Sequence, residues 1–143
     1  MAASTRFCVA VHILAALALQ RGKPVASEAI AASVGTNPAV VRRLLSDLAR
    51  AGLTRSQLGK GGGAMLARAP KKISLLEVYR AMDEPAIVAP PRSTADQTCL
   101  VGRNVQPALR RVTDAAEAAF FEKLAGANLK QIVKDIKADD MAA

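Results

Sequence analysis

The spacing of apolar residues predicts a mainly α-helical chain with one short β-hairpin. Residues 7–19 are nearly all apolar, which is typical of a helix buried on most of its sides. Residues 54–58 and 64–68 flank a segment with four glycines in five positions, which predicts a hairpin with a tight tip. Between these stretches, one apolar stripe at helical spacing is formed by Val41, Leu44, Leu45 and Leu48.

Capping residues place two short helices in front of the hairpin. Ser27 has the side chain of an N-cap, and Gly35 suits a left-handed end of the same helix. Asn37 followed by Pro38 is a strong helix start, because asparagine accepts a bond from a free amide and proline at the first position loses none. Gly52 ends the second helix. Two helices across a tight turn, followed by a hairpin, predict a winged helix-turn-helix.

The outer face of the second helix and the tip of the hairpin, which we call the wing, carry small and basic side chains. Arginine on a groove-inserted helix binds guanine or phosphate, so the pattern favours DNA binding over a merely solvated face. The residues that we expect to contact double-stranded DNA are Ser27, Asn37, Ala39, Arg42, Arg43, Ser46, Arg50, Lys60, Gly61 and Gly62.

The positive charge of the chain is concentrated in the same half. Residues 1–80 contain 12 Lys and Arg against three acidic residues, a net charge of +9. Residues 81–143 contain eight Lys and Arg against nine acidic residues, a net charge of −1. A polyanion is therefore the expected partner of the first half, with binding that weakens steeply as the salt concentration rises.

The second half predicts a loop followed by a long helix that pairs with its twin. Periodicity is absent over residues 84–103, and Asn104 is a candidate cap for the helix that follows. Recognition helices usually act in pairs on DNA, so we favour a homodimer over a seam that packs only within its own chain. The heptad-like seam is formed by Val105, Leu109, Val112, Ala116, Ala119 and Phe120.

These patterns predict three segments. Residues 1–83 form a winged-helix DNA-binding domain, and residues 84–103 form a loop or linker that carries Cys99. Residues 104–143 form the dimerisation helix and a short C-terminal helix. The expected fold class is mainly α, with a two-stranded wing and a long C-terminal dimerisation helix.

Composition narrows the class of protein. No apolar run reaches the roughly 18 residues of a membrane-spanning helix, and His12 interrupts the run in the first helix. We therefore expect a cytoplasmic protein without a membrane partner, whose two cysteines are not a structural disulfide framework. With one histidine and no nucleophile-elbow pattern, the chain offers no catalytic constellation, so we do not expect an enzyme.

The wing and its flanks resemble a known family. Residues 59–68 (GKGGGAMLAR) are similar to the wing signature of the Rrf family of bacterial transcriptional regulators, and residues 7–12 (FCVAVH) are similar to its first helix. The resemblance covers essentially the whole chain and implies a homodimeric winged-helix regulator, usually a repressor. In the family an arginine often precedes the first wing glycine, where this chain has Leu58. Lys60 is therefore the expected basic contact in the minor groove.

The resemblance also bears on a sensor. Cluster-binding members carry three cysteines in the loop before the long helix, whereas this loop has only Cys99. Cys8 occupies a place from which some members supply a cluster ligand to the other subunit, and His12 follows one turn later on the same helical face. A 2Fe–2S cluster normally needs four protein ligands, so these three residues leave the set incomplete. We expect no bound cofactor.

The favoured interpretation of the cysteines is a thiol switch. Cys99, in a loop near Arg103, is the expected reactive thiol, because a positive neighbour favours the nucleophilic thiolate. An oxidant would convert Cys99 to a sulfenic acid that Cys8 of the partner subunit resolves as a disulfide, or an electrophile would alkylate Cys99 directly. The alternatives are a cluster-dependent regulator, cysteines without a sensing role, and a basic architectural protein that coats DNA without responding to a signal.

Overall fold

The computed structural model describes residues 4–143, and the predicted mainly α-helical fold with a two-stranded wing is confirmed. The two strands form one antiparallel sheet, and a single 3-10 turn follows it. In chain order the described elements are α1 (Arg6–Leu19), α2 (Ser27–Val34), α3 (Pro38–Arg50), β1 (Thr54–Gln57), β2 (Gly63–Leu66), the 3-10 turn (Pro70–Lys72), α4 (Leu75–Ala81), α5 (Leu100–Ala125) and α6 (Leu129–Ala142).

Contacts divide the chain into two compact units. The first unit runs to Glu84 and also includes Leu124–Ala143, and the second unit is Pro85–Lys123. Helix α6 contacts α1 and the 3-10 turn, and its Leu129 is fully buried. The last helix therefore belongs to the first unit, whereas the sequence grouped it with the dimerisation helix. The difference arises because the apolar side of α6 completes the core around α1.

The core of the first unit forms around α1. Ala10, Ile13, Leu14 and Leu17 recur at three- and four-residue spacing, and all are buried. The stripe of α3 faces the same core, although its Leu45 is only partly buried. Other fully or nearly fully buried members of the cluster include Ile30, Val41, Leu44, Leu48, Leu53, Ile73, Val78, Met82 and Leu129.

The structure confirms the predicted start of α3 at Asn37 and the predicted end of α2 at Gly35. The side-chain oxygen of Asn37 accepts a bond from the amide of Val40 at 3.1 Å, which fixes the start of α3. Gly35 ends α2 with a φ of 81°, in the left-handed region that favours glycine. Ser74 and Glu77 form a reciprocal capping box at the start of α4.

Ser27 does not cap α2. The cap position is held by Ala26 in an extended conformation, no side chain caps the helix, and Ser27 is the first helical residue. The reason lies in the wing, because Val25 pairs with Ala64 of β2 through two backbone hydrogen bonds of 3.0 and 2.9 Å. This pairing keeps the chain extended up to the residue before the helix.

The two strands of the wing pair in register from Thr54 opposite Leu66 to Gln57 opposite Gly63. Each strand is one residue shorter than predicted, because β1 ends before Leu58 and β2 runs from Gly63 to Leu66 instead of over residues 64–68. Gly63 has a φ of 154°, and a Cβ there would lie 2.4 Å from the carbonyl oxygen of Val25. Only glycine allows β2 to approach the segment before α2 this closely.

The second unit consists of an irregular segment and most of α5. This helix begins at Leu100, four residues before the predicted cap, so Cys99 directly precedes a helix instead of lying inside a loop. Asn104 lies within α5, where its side-chain amide donates to the carbonyl of Leu100 at 2.8 Å. Pro107 is accommodated in the helix interior. The predicted loop at 84–103 was therefore too long at its C-terminal end.

Candidate nucleic-acid interface

The outer face of α3 is open to solvent along its length. Val41, Leu44 and Leu48 are buried on the opposite face, so the helix is held against the core by one side only. The hydrogen-bonded cap at Asn37 and the turn at Gly35 fix the angle at which this helix leaves α2. The predicted contact residues that are exposed on this helix are Ala39, Arg42, Arg43, Ser46 and Arg50.

The three arginines of that face have different surroundings. Arg42 donates from Nη2 to Oε1 of Glu28 in α2 at 3.1 Å. Arg50 is paired with Asp47, which also accepts from Nη2 of Arg6 at 2.7 Å. Arg43 makes no ion pair with any residue of the described part of the chain. Arg43 is therefore the least constrained charge on the face.

A groove of about 450 Å³ separates α3 from the wing. Arg42 and Ser46 line one wall, and Ser56, Gln57 and Leu58 of the wing are among the residues of the other. Ser56 and Gln57 were not among the predicted contacts, because a polar residue in a short strand has no periodic signal. In β1 only Thr54 is buried, so Ser56 and Gln57 are accessible from the groove.

The tip of the wing is a tight turn that presents Lys60 to solvent. The amide of Gly62 donates to the carbonyl of Gly59 at 3.0 Å, and Gly61 has a φ of 77°. A Cβ at Gly62 would lie 2.1 Å from the carbonyl oxygen of Gln57, so the turn closes only with glycine there. The glycines therefore act through backbone conformation, and Lys60 supplies the charge.

Replacement of Lys60 by alanine tests this assignment. If the ammonium group neutralises one phosphate, Lys60→Ala should weaken DNA binding and flatten the slope of log affinity against log salt by about one unit. Titration of a labelled duplex at several salt concentrations gives the slope. Lys130→Ala, an exposed lysine of α6, is the matched control and should leave the slope unchanged.

The base of the wing is fixed by Arg68. Its Nε donates to the carbonyl of Gly52, and its Nη1 donates to the carbonyl of Lys72 and pairs with Glu77 at 2.9 Å. The pKa of Glu77 lies below its usual value because its carboxylate accepts from the backbone amide of Ser74 and then from Arg68. These bonds tie β2 to the ends of α3 and α4, so the wing is held in place relative to α3.

The two cysteines lie in different units and in different surroundings. Cys99 is exposed at the N-terminus of α5, where the backbone amides of Gly102 and Val101 donate to its sulfur and lower the pKa of the thiol. Arg103, which the sequence suggested as the cause, does not contribute to this lowering, and its Nη1 donates to the carbonyls of Gln97 and Thr98.

Glycine at position 102 is required by the fold around Cys99. A Cβ on Gly102 would lie 2.1 Å from the carbonyl oxygen of Asp96. Asp96 also accepts from the amide and the hydroxyl of Thr98, at 2.8 and 2.7 Å, and its carbonyl accepts from the amide of Cys99 at 3.3 Å. The turn before α5 is therefore closely packed onto the helix, and it holds the sulfur over the free amides.

Cys8 is exposed on α1 and borders a largely apolar groove of about 490 Å³. His12, one turn further along, shares a hydrogen bond of 2.8 Å between its Nε2 and the hydroxyl of Ser33 in α2. Within residues 4–143 no three His, Cys, Asp or Glu side chains come together in a metal-binding arrangement. The donor set of one chain therefore does not fit a four-ligand iron–sulphur cluster.

The chain matches a known protein family over most of its length. A family model for Rrf2, described as an iron-dependent transcriptional regulator, matches residues 3–135. The chain belongs to the Rrf2 family. Its relatives include YwnA of Bacillus subtilis (strain 168), described as an HTH-type transcriptional regulator, which is 36% identical over 133 residues covering 93% of this chain and 98% of the relative.

Solved structures support the Rrf2 assignment. A transcriptional regulator from Lactobacillus plantarum superposes with a TM-score of 0.78 and 27% identity, over 93% of this chain and 90% of the other. T. potens IscR superposes with a TM-score of 0.72 over 95% of this chain and 88% of the other, and at 24% identity this likeness shows the fold alone. The Rrf2 chain is thus a DNA-binding transcriptional regulator and not an enzyme.

Two further observations bear on the expected cofactor and on the expected absence of a membrane partner. The family description names iron, yet the donor set described above does not fit a cluster, so we assign no step to iron. None of the helices in residues 4–143 combines the length and the apolar character that a membrane span requires.

Proposed function

We propose that the protein is a cytoplasmic, homodimeric repressor that binds operator DNA and releases it when Cys99 is oxidised or alkylated. The observation that carries the sensing part is the position of Cys99, an exposed thiol with a lowered pKa at the N-terminus of α5. A thiolate at a helix N-terminus is the nucleophilic form of cysteine and is stabilised by the free amides there. The thiol is thus both accessible and activated.

The exposed seam of α5 supports the homodimer. None of the 26 residues of this helix is buried, and its apolar side chains include Val112, which is 67% exposed, and Leu109, which is 47% exposed. A continuous apolar stripe of this kind is typical of an interface with another chain. A second copy of α5 is the proposed occupant, because pairing it about a two-fold axis also presents two recognition helices to two half-sites.

The Cys99 thiolate can react with an electrophile or with an oxidant. With a quinone, the thiolate sulfur bonds to a ring carbon, the π electrons move to the carbonyl oxygen, and water supplies the proton. With a peroxide, the sulfur attacks one oxygen, the O–O bond breaks, and the second oxygen leaves as hydroxide. Cys8 of the partner subunit then attacks the sulfenic sulfur and displaces hydroxide, which gives an intersubunit disulfide.

Either product removes the negative charge that the amides of Val101 and Gly102 stabilise. The first turn of α5 loses its cap as a result, and the dimer helix continues directly from that turn. A change in how two such helices pair alters the spacing of the recognition helices relative to one DNA turn. Release of DNA is the proposed outcome.

Cys99→Ser is expected to remove the response. Benzoquinone or hydrogen peroxide should lower the DNA affinity of the wild type and leave that of Cys99→Ser unchanged, as measured by fluorescence anisotropy of a bound duplex. The rate of alkylation of Cys99 by iodoacetamide should also reach half of its plateau at a pH below the ordinary thiol value of about 8.5, because the lowered pKa supplies thiolate at lower pH.

Cys8→Ser is the matched control. It should retain the response to benzoquinone and lose the covalent dimer that peroxide produces on a non-reducing gel. An identical response of the wild type and Cys99→Ser would contradict the thiol switch. A visible absorption spectrum of anaerobically purified protein tests the cluster alternative, because a bound cluster is coloured and a thiol switch is not.

A further inference from the structure

Every acidic residue in the described part of the first 80 positions is paired with an arginine. Asp47 binds Arg6 and Arg50, and Glu77 binds Arg68, within the scaffold that supports α3 and the wing. Glu28 alone pairs with Arg42 on the outer face of α3. Asp47 also pairs with a predicted DNA contact, Arg50, but it binds Arg6 of α1 as well. Within residues 4–143, Glu28 is therefore the one of these three carboxylates whose only arginine partner is a predicted DNA contact.

The Glu28–Arg42 pair is exposed, with 67% of the Glu28 side chain and 57% of the Arg42 side chain accessible to solvent. Exposed ion pairs contribute little to stability, so folding alone does not explain the arrangement. The pKa of Glu28 is lowered, first by a bond from its own backbone amide and then by Arg42, so the carboxylate is charged at neutral pH. A permanent negative charge at a surface that approaches phosphates weakens binding to DNA in general.

We propose that Glu28 is a positioning residue that makes Arg42 a contact to a guanine base instead of a contact to phosphate. This inference rests on the proposed binding of DNA by α3. The guanidinium group has five N–H donors in a planar fork, and Glu28 engages Nη2 through one oxygen. The remaining donors can still bind the two acceptors of guanine in the major groove, with the side chain already oriented.

The same pair lowers the affinity for DNA that lacks the matching guanine. A phosphate contact that draws Arg42 away from Glu28 leaves the carboxylate unpaired beside a polyanion. At a matching guanine both groups keep their partners. The pair therefore lowers affinity for unmatched sequences more than for the operator, which is how a repulsive element produces specificity.

Glu28→Gln tests the proposal, because it keeps the size of the side chain and removes the charge. The probes are the best duplex that the wild type selects from a random 30-base-pair library and a shuffled duplex of the same composition. Glu28→Gln should bind the shuffled duplex more tightly, with a salt slope steeper by about one unit, as Arg42 becomes a phosphate contact. The ratio of the two affinities should fall by about tenfold, within the range for one base contact.

Two further variants separate positioning from charge and from structure. Glu122→Gln removes an exposed carboxylate of the second unit and should leave both the ratio and the slope unchanged. In an Arg42→Lys background, which keeps the charge and lacks the fork, Glu28→Gln should no longer change the ratio. Thermal melting checks that each variant folds, since a structural defect would weaken binding to both duplexes without steepening the slope.

The outcomes distinguish this inference from the function on which it rests. If the wild type selects no sequence, DNA recognition by α3 is wrong, and this inference is wrong with it. If the wild type selects a sequence and Glu28→Gln keeps the same affinity ratio, only the role of Glu28 is overturned. An equal fall in the ratio for Glu122→Gln would likewise overturn it.

Discussion

Replacing Arg42 and Arg43 together by alanine should abolish specific binding to DNA. Both side chains project from the outer face of α3, while the opposite face is buried against the core. A bidentate contact of arginine with a base contributes about 1–3 kcal/mol, so the loss of two lowers affinity roughly thirty-fold to twenty-thousand-fold. Folding should be unaffected, because the ion pair that Arg42 loses is exposed.

A gel-shift titration of the promoter fragment with the double variant measures this loss. Lys134→Ala with Lys137→Ala is the matched control, because it removes two exposed positive charges from α6 of the same unit. If net charge alone governed binding, the two double variants would weaken it equally. That result, or full retention by Arg42→Ala with Arg43→Ala, would remove the assignment of α3 as the recognition helix.

The start of α3 could be predicted because its determinants are local. Asn37 caps α3 within three residues, and the pair Ser74 and Glu77 caps α4 in the same way. The left-handed Gly35 lies between the two helices that it joins. Signals of this kind are contained in a few consecutive residues, so they can be recognised without knowing how the rest of the chain folds.

The features that the sequence did not indicate depend on contacts between distant residues. Ser27 lost its cap role because Val25 pairs with β2, about forty positions along the chain. The pair between Glu28 and Arg42 joins two helices and has no signature in either one.

The start of α5 shows how a local signal can also mislead. Asn104 resembles a cap, but the chain turns earlier, where Asp96 binds Thr98 and its carbonyl accepts from the amide of Cys99. The earlier start adds residues 100–104 to the helix, and it also has a consequence for function. The earlier start places Cys99 at the free amides of α5, which replaces Arg103 as the physical reason for its lowered pKa.

Introducing a charge into the seam of α5 should separate the dimer and weaken DNA binding with it. Val112 is 67% exposed in the single chain and lies at the middle of the predicted seam. In Val112→Glu, two carboxylates would face each other across the two-fold axis in an apolar surrounding, where unpaired charge is strongly unfavourable. Light scattering should show the mass falling from twice the chain mass to 14.9 kDa.

The effect on DNA follows from the loss of linkage between two recognition helices. A dimer binds its second half-site at a high effective concentration, so a monomer should bind a full site roughly 10²-fold to 10⁴-fold more weakly. Ala118→Glu adds the same charge at an exposed position on the other side of α5 and should preserve both mass and affinity. A monomeric wild type, or a dimeric Val112→Glu, would mean that some other chain or segment covers the seam. The proposed switch acts through the first turn of this helix. Such a result would therefore also remove the mechanism by which oxidation of Cys99 is proposed to weaken DNA binding.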